Sequence, residues 1–574
     1  MLDTLEILKA CFSELKRTYE VVLADSIPGV SKIDYVQTWK VTTEAIYKEK
    51  LCIIELFLGF NVDFPYSLLD IYLPSAEFKY IPHRSFLTGK LCLAPDDCCY
   101  DIDDCSRLIK SCIGRSLSIV ESDSKELESI YNDEIISYWN ETDDGEPIVD
   151  CYGELHCSMP QEACVLDAVE YKKEVVIDGE ARVGSSVIIF NDENTVIKEY
   201  VDSLPVFRRA DVCYVTSFNL PSSPPYKLTF SQFLDKVSDI GEKKFIRKYI
   251  NHNRGGTIIF PLSESMFGGI VIKSVPFQRD GFRIGSLSSC QVLCAFENSY
   301  KNQQRIFGKV LSTKRISMRT SGQNPIDKKF VIAGLGSIGS NLTYFLSGWQ
   351  GVQMVLIDDD ILDVDNIGRH FLGYRDTASH KADALAKHFK GVNPTRKIHS
   401  VRKRLQEVLY NQLDTLNSSD ALFVCTGSHM SEQCVIDYIM ANKLKVPVFI
   451  LWVEPYCVAG HMIYLNPDTL PRNLDLFSQT DMRLYKYNLI DDEEYEDPEK
   501  FIKRDAGCNS EYTNYSGNDV ILYLSSIYPE INKLLMSHDK SKCFRWVGNI
   551  RIAEEKGIKL KSILPSGLVQ TLEL

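Results

Sequence analysis

Gly334, Gly336 and Gly339 stand as G-x-G-x-x-G between an apolar run, Phe330–Ala333, and a helical run that begins at Asn341. Glycines at that spacing allow a tight turn, let a phosphate approach the backbone, and let a helix pack closely on the preceding strand. The first N–H groups of such a helix have no partner inside it, so they suit an anion. Asp358 ends the next strand-like run, Met354–Ile357, where a carboxylate can accept hydrogen bonds from ribose hydroxyls. These residues alone read as a dinucleotide site, so an NAD-dependent oxidoreductase is one reading. Asp360, Asn366, Arg369 and Lys381 then follow in quick succession. Hydride transfer needs no Arg and Lys converging on phosphates.

The stretch Leu356–His370, followed by His380–Ala386, resembles the ThiF-like and ubiquitin-activating adenylyltransferases. Their Asp-x-Asp, Asn-x-x-Arg and later Lys fall here on Asp358, Asp360, Asn366, Arg369 and Lys381. The resemblance implies ATP with Mg2+ and adenylation of a carboxylate. One departure is Thr426-Gly427-Ser428, where the family has an Asp that helps hold magnesium; Asp360 or Glu454 could substitute, and the magnesium ligands stay unknown. Cys508, within Ala506–Tyr515, sits in a polar loop that looks like the Gly-Cys loop of the same enzymes, whose cysteine takes the acyl group as a thioester. Arg504 or the helix start beyond it would favour the thiolate, the reactive form. Near the N-terminus, Phe64-Pro65, Leu73-Pro74, Ile81-Pro82-His83 and Gly89-Lys90-Leu91-Cys92-Leu93 resemble the core of ubiquitin-conjugating enzymes, which makes Cys92 the second thioester carrier. Arg84 and Ser85 follow His83 where that family has Pro and Asn, and a structural role for His83 is favoured over direct catalysis.

Holding the glycine turn and its acidic and basic partners together takes alternating strands and helices from Lys328 onward, the rhythm of a doubly wound parallel α/β sheet. Upstream, a helical pattern (Leu5–Leu23), strand-like runs (Cys52–Leu58, Leu69–Leu73), a loop and a second helical pattern (Ile102–Val120) predict a small α+β domain. Between them, short β-rich runs and one helical segment, Phe230–Tyr249, read as a mixed linker domain. The expected division is 1–140, 141–305 and 306–574. A conjugating-like block ahead of an activating block is the layout of bacterial fused enzymes found in type II CBASS antiphage operons. That likeness implies a homodimer that joins the C-terminus of a cGAS-like nucleotidyltransferase, or a ubiquitin-like protein, to an acceptor protein or small molecule. A ThiF-like sulfur-carrier activating enzyme, which would not need Cys92, and a scaffold without catalysis remain open beside it.

With 574 residues the chain exceeds a single core. A net charge of −14 with no basic block argues against broad nucleic-acid binding. No apolar run approaches the ~20 residues of a membrane helix, and no secretory signal opens the chain, so a cytoplasmic protein is expected. None of the 18 cysteines are spaced C-x-x-C, which leaves a zinc site without support. Cys98, Cys99 and Cys105 read as packing residues, and the acidic runs Asp143–Glu146 and Asp491–Glu499 as solvated loops.

Overall fold

The structure, a computed structural model of the chain, describes residues 4–30, 35–86, 88–93, 100–121, 131, 135–140, 151–177, 180–190, 195–204, 207–221, 226, 228–275, 282–283, 285–295, 303–471, 474–479, 484–504, 511–537 and 539–574. It divides into two compact units, one of Met1–Asn194 with Leu204–Leu311, the other of Thr195–Ser203 with Ser312–Leu574.

The first unit begins with helix Thr4–Leu15 and a four-stranded antiparallel meander, Glu20–Leu23, Gln37–Tyr47, Lys50–Phe60 and Asp70–Tyr72. Lys48 and Glu49, both at positive φ, form the two-residue turn between the long strands, which suits the right-handed twist of a hairpin. Helix Cys105–Val120 starts on Asp104, whose side chain accepts the Arg107 N–H at 3.0 Å. It buries Ile109, Cys112, Ile113, Ser116 and Ile119 against the sheet, the three-and-four spacing of one helix face. The helical pattern over Leu5–Leu23 is corrected. The helix stops at Leu15, because Glu20–Leu23, with β-branched Val21 and Val22 behind Tyr19, enters the sheet edge as a strand.

Residues 151–310 form a closed barrel of seven strands in the order Met266–Ile272, Gln303–Val310, Cys151–Leu155, Glu180–Phe190, Cys164–Ile177, Arg208–Tyr214 and Gly256–Ser263. Gly308 lies beside Gly153, where a Cβ would strike the Gly153 carbonyl, and the Phe267 ring takes the space. The single helical segment expected at Phe230–Tyr249 is two helices, Phe230–Lys236 and Ile240–Asn253. Thr229 and Asp239 cap them separately.

The second unit is built on an eight-stranded sheet in the order Lys397–Val401, Gln353–Ile357, Lys329–Ala333, Ala421–Val424, Val448–Val453, Ala459–Leu465, Lys542–Val547 and Val569–Leu572. The first five are parallel and the last three antiparallel, so the expected parallel sheet is extended by an antiparallel wing. Along Lys329–Ala333, Phe330 and Ile332 enter one core while Val331 and Ala333 enter another on the opposite face. A strand covered on both faces must be apolar throughout, which is how the run appears in the sequence. Full burial of a Phe, Val or Ile side chain such as Phe330, Val331 or Ile332 contributes roughly 1.5–3 kcal/mol. Helices Ser337–Ser347, Lys381–Val392, His429–Met440 and Gly517–Met536 cover the sheet. No helix among the described residues is long and apolar enough to cross a membrane.

Candidate active site

Strand order reverses beside Lys329–Ala333, whose sequence neighbours continue on one side and whose partner Ala421–Val424 lies on the other. In an open α/β sheet the crevice at the carboxyl ends of such strands is where ligands bind. A cleft of about 230 Å³ opens there, and Gly334, Gly336, Asp358, Asp360, Asn366, Arg369 and Lys381 all line it.

Two of the glycines are needed by the fold itself. Gly334 has φ +82, and a Cβ there would meet the Thr426 backbone at 2.6 Å. At Gly339 a Cβ would collide with the Gly334 carbonyl. Gly336, which caps helix Ser337–Ser347, faces open space within 4 Å. An open approach to the first amides of an 11-residue helix fits a phosphate.

Asp358, 9% exposed, accepts the Leu335 N–H at 2.6 Å on one oxygen and the Asp360 N–H at 2.8 Å on the other. It thereby fastens the glycine turn to the next loop. Burial pushes its carboxyl above the usual carboxylate range, against the opposing pull of those two N–H groups. Lys381 opens helix Lys381–Val392, is 8% exposed, and places its ammonium 2.9 Å from Asp360 Oδ2. Asn366 ends a short 3₁₀ turn; its carbonyl accepts the Arg369 and His370 N–H groups and so bends Arg369 toward the cleft. Arg369 stacks over the Tyr515 ring at 4.8 Å, and the Tyr515 hydroxyl lies 2.8 Å from Ser337 Oγ. Lys381 and Arg369 are therefore not loose surface cations.

His370 and Tyr515 carry weight that the sequence reading missed. His370 Nε2 donates to the Leu335 carbonyl at 2.8 Å while Nδ1 accepts the Leu372 N–H at 3.0 Å, which fixes the neutral tautomer. Burial lowers its pKa to about 4. Both residues stood in plain view beside Arg369 and Cys508. Only an aromatic just ahead of the Ser516 helix cap hinted at Tyr515.

Oxygens of Asp358, Asp359 and Asp360 lie within 4.8 Å of one another. Asp359 pairs with Arg404 at 3.1 Å, and Asp358, which lines the cleft, already accepts two backbone N–H groups; Asp360, paired with Lys381, is the exposed carboxylate of the three that lines the cleft. Magnesium bound by one or two carboxylates plus phosphate oxygens fits that set. Gly427, at φ +58 with open space around it, supplies no ligand. The suggested substitute Glu454 is corrected. It is 2% exposed and accepts from His461 Nε2 at 2.6 Å, Leu489 N at 2.6 Å and Ile490 N at 2.8 Å, so it serves the fold.

Cys508 lies outside the described residues, as do Cys98, Cys99 and Asp143–Glu146. Its flanks do not: Ile502–Arg504 pairs with Glu511–Thr513, and Tyr515 follows directly into the cleft. Cys92 is exposed between buried Leu91 and Leu93, and its N–H donates to the His83 carbonyl at 2.7 Å. His83 takes φ +57 and its N–H donates to the Tyr138 hydroxyl. Buried Arg84 donates to the carbonyls of Leu73, Lys79 and Ser85, so it braces the loop opposite Cys92. Cys105 is buried in the core of the sheet, as a packing residue should be. Asp491 and Asp492 pair with Lys559 and Lys561 rather than being merely solvated.

Residues 312–481 match the ThiF family model. The ATP-dependent ubiquitin transferase-like protein Cap2 of Pseudomonas aeruginosa is 36% identical over 93 residues, 16% of this chain and 17% of that protein. Cap2 of Enterobacter hormaechei is 29% identical over 113 residues, 19% of each. These matches span less than a fifth of either relative's length. Among solved structures, that of PaaA aligns over 52% of this chain and 87% of its own, at 17% identity and a TM-score of 0.32. Residues 312–481 thus form a ThiF-family α/β adenylation fold, within a chain similar to the Cap2 ubiquitin transferase-like proteins.

Proposed function

We propose that this protein uses ATP to activate the C-terminal carboxylate of another protein and relays the acyl group from Cys508 to Cys92 and on to a target amine. The observation that carries the reading is the cleft, where the glycine turn, Asp358, Asp360, Asn366, Arg369 and Lys381 converge. The amides after Gly336 receive the phosphates and Asp358 the ribose hydroxyls, while Asp360 would hold a magnesium ion, which would supply charge neutralisation at the phosphate oxygens. A carboxylate oxygen bonds to the α-phosphorus as the α–β bond breaks and pyrophosphate departs with the electron pair. Arg369 and Lys381 offset the charge that builds there, in a partly dry cleft where such pairing is strongest. The Cys508 thiolate then bonds to the acyl carbon and AMP leaves. Cys92 displaces Cys508 in turn, its proton passing to solvent. The target amine, after losing a proton, displaces the Cys92 thiolate.

Exposure of Cys92 on a braced loop supports its part, since a relay thiol must be reached by both a thioester and an acceptor. The likeness to Cap2 supports a protein substrate. We further propose a cytoplasmic homodimer acting in CBASS antiphage defence on a cGAS-like nucleotidyltransferase, a reading supported by the resemblance of its two sequence blocks to the fused bacterial enzymes. Burial of Lys381 against Asp360, in reach of the phosphate position, supports adenylation over hydride transfer.

The test incubates the protein with ATP, magnesium and the product of its neighbouring gene and follows thiol-sensitive adducts on non-reducing gels. An adduct lost in Cys508→Ala and retained in Cys92→Ala, with conjugation lost in both, is the expected result. A wild-type protein that forms no adduct with a partner of intact, accessible C-terminus would count against the relay.

A further inference from the structure

A second cavity, of about 310 Å³, lies at the opposite, amino ends of the sheet's strands, where Gln353–Ile357 and Lys397–Val401 begin. Strand Gln353–Ile357 runs from the second cavity to the nucleotide cleft, with Asp358 just past its far end; at ~3.3 Å per residue its ends are roughly 13 Å apart. The second cavity is therefore separate from the nucleotide cleft, and the two share no lining residue.

Its wall holds Arg396, placed by a turn in which Asn393 accepts the Thr395 N–H at 3.0 Å through its side chain and the Arg396 N–H at 3.1 Å through its carbonyl. Arg396 Nε and Nη1 are buried and have no hydrogen-bond partner, and no carboxylate among the described residues pairs with it. Its one contact of note is the Phe389 ring, 5.6 Å from the guanidinium carbon. Burial alone draws the guanidinium below its ordinary range, with no opposing charge to raise it. Arg396 as a whole is half-buried, yet folded proteins seldom leave buried nitrogens of a cation unpartnered, because the lost hydration is returned only by a partner charge or by hydrogen bonds. Beside Arg396 the cavity offers the exposed ammonium of Lys397 against the single carboxylate of Asp327, a local excess of positive charge in a chain of net charge −14. Trp349, Val352 and Met354 supply an apolar side.

We propose that this cavity binds a small oxyanion ligand, a carboxylate or phosphate carried on an apolar body, whose oxygens bond to Arg396 while the body rests against Trp349 and Met354. A guanidinium matches both oxyanions in geometry, and its charge-assisted bonds are about twice as strong as neutral ones. Neither the ATP reaction nor the cysteine relay uses this cavity, so the inference stands apart from them.

The test titrates the full-length protein, without nucleotide, with benzoate, phenyl phosphate and the neutral isostere benzamide, and follows heat of binding and thermal unfolding. Benzoate or phenyl phosphate should bind and raise the melting temperature, and benzamide should do neither. The tighter of the two anions tells a carboxylate ligand from a phosphate ester. In Arg396→Gln the dissociation constant should rise at least about tenfold, the loss of one charge-assisted pairing. Without ligand the variant should melt no lower than wild type, since the buried, unpartnered Nε and Nη1 groups have been removed. Equal binding of benzamide and benzoate to the wild type, or anion binding that Arg396→Gln leaves intact, overturns the proposal. The benzamide comparison uses wild-type protein alone and holds even if the variant folds poorly.

Discussion

An imidazole in water takes up a proton below about pH 6.5, but His370 cannot do so without breaking its place in the cleft. Its Nδ1 already accepts the Leu372 N–H, and burial lowers the folded pKa to about 4. The unfolded chain binds the proton first, so the stability that His370 contributes is fully present above pH 6.5. It is lost as the pH falls through about 4. A gap of that size is worth on the order of 3 kcal/mol. In His370→Gln, whose amide can both donate and accept, urea unfolding should show a visibly flatter fall between pH 6.5 and 4.5 than in wild type. Parallel pH profiles for the two proteins would sink the assignment. At this scale the acidic and basic residues of the cleft were legible because their spacing is local: Asp358, Asp360, Asn366, Arg369 and Lys381 lie within one strand–loop–helix passage. His370 and Tyr515 were not. What recruits them is a carbonyl at Leu335 and a hydroxyl at Ser337, distant in sequence, and no spacing rule reports such a bond.

Among the elements, the glycine turn separates what the fold needs from what a nucleotide needs. Gly334→Ala forces a side chain into φ +82 and against the Thr426 backbone, a strain of about 1–3 kcal/mol. Gly336→Ala adds a methyl group to open space at an ordinary negative φ of −71. Gly334→Ala should therefore lower the melting temperature by several degrees, about 2–4 °C per kcal/mol in a large domain. Gly336→Ala should melt like wild type yet bind a non-hydrolysable ATP analogue at least about tenfold more weakly, because phosphate contact depends on close backbone approach. Calorimetric titration with thermal melts checks both, and a Gly336→Ala protein with unchanged affinity would remove the phosphates from this turn. The parallel strands were readable because burial on both faces writes a continuous apolar run. The antiparallel wing and the barrel were not. Their closure depends on pairings such as Gln303–Val310 with Cys151–Leu155, some 150 residues away, to which local periodicity is blind. The two caps that split the expected Phe230–Tyr249 helix, Thr229 with Gln232 and Asp239, were present in the sequence but were outweighed by an unbroken apolar rhythm.

For the whole molecule, the proposed relay allows two routes, transfer between the cysteines of one chain or transfer between copies. On the proposed relay, fusion of both cysteines on one polypeptide would hold Cys92 at an effective concentration near millimolar, whereas a second chain in a micromolar solution is about a thousandfold more dilute. A mixture of Cys92→Ala and Cys508→Ala proteins tests this directly, because each chain then holds one working carrier. If transfer stays within a chain, the mixture should still form the Cys508 adduct while the conjugation rate drops at least about a hundredfold and rises with total protein concentration. Should the mixture instead conjugate at a large fraction of the wild-type rate, independent of dilution, transfer would run across a stable dimer, with subunits exchanging before the assay. The second outcome would make the proposed homodimer part of the chemistry, since each acyl group would leave one subunit's Cys508 for the other's Cys92.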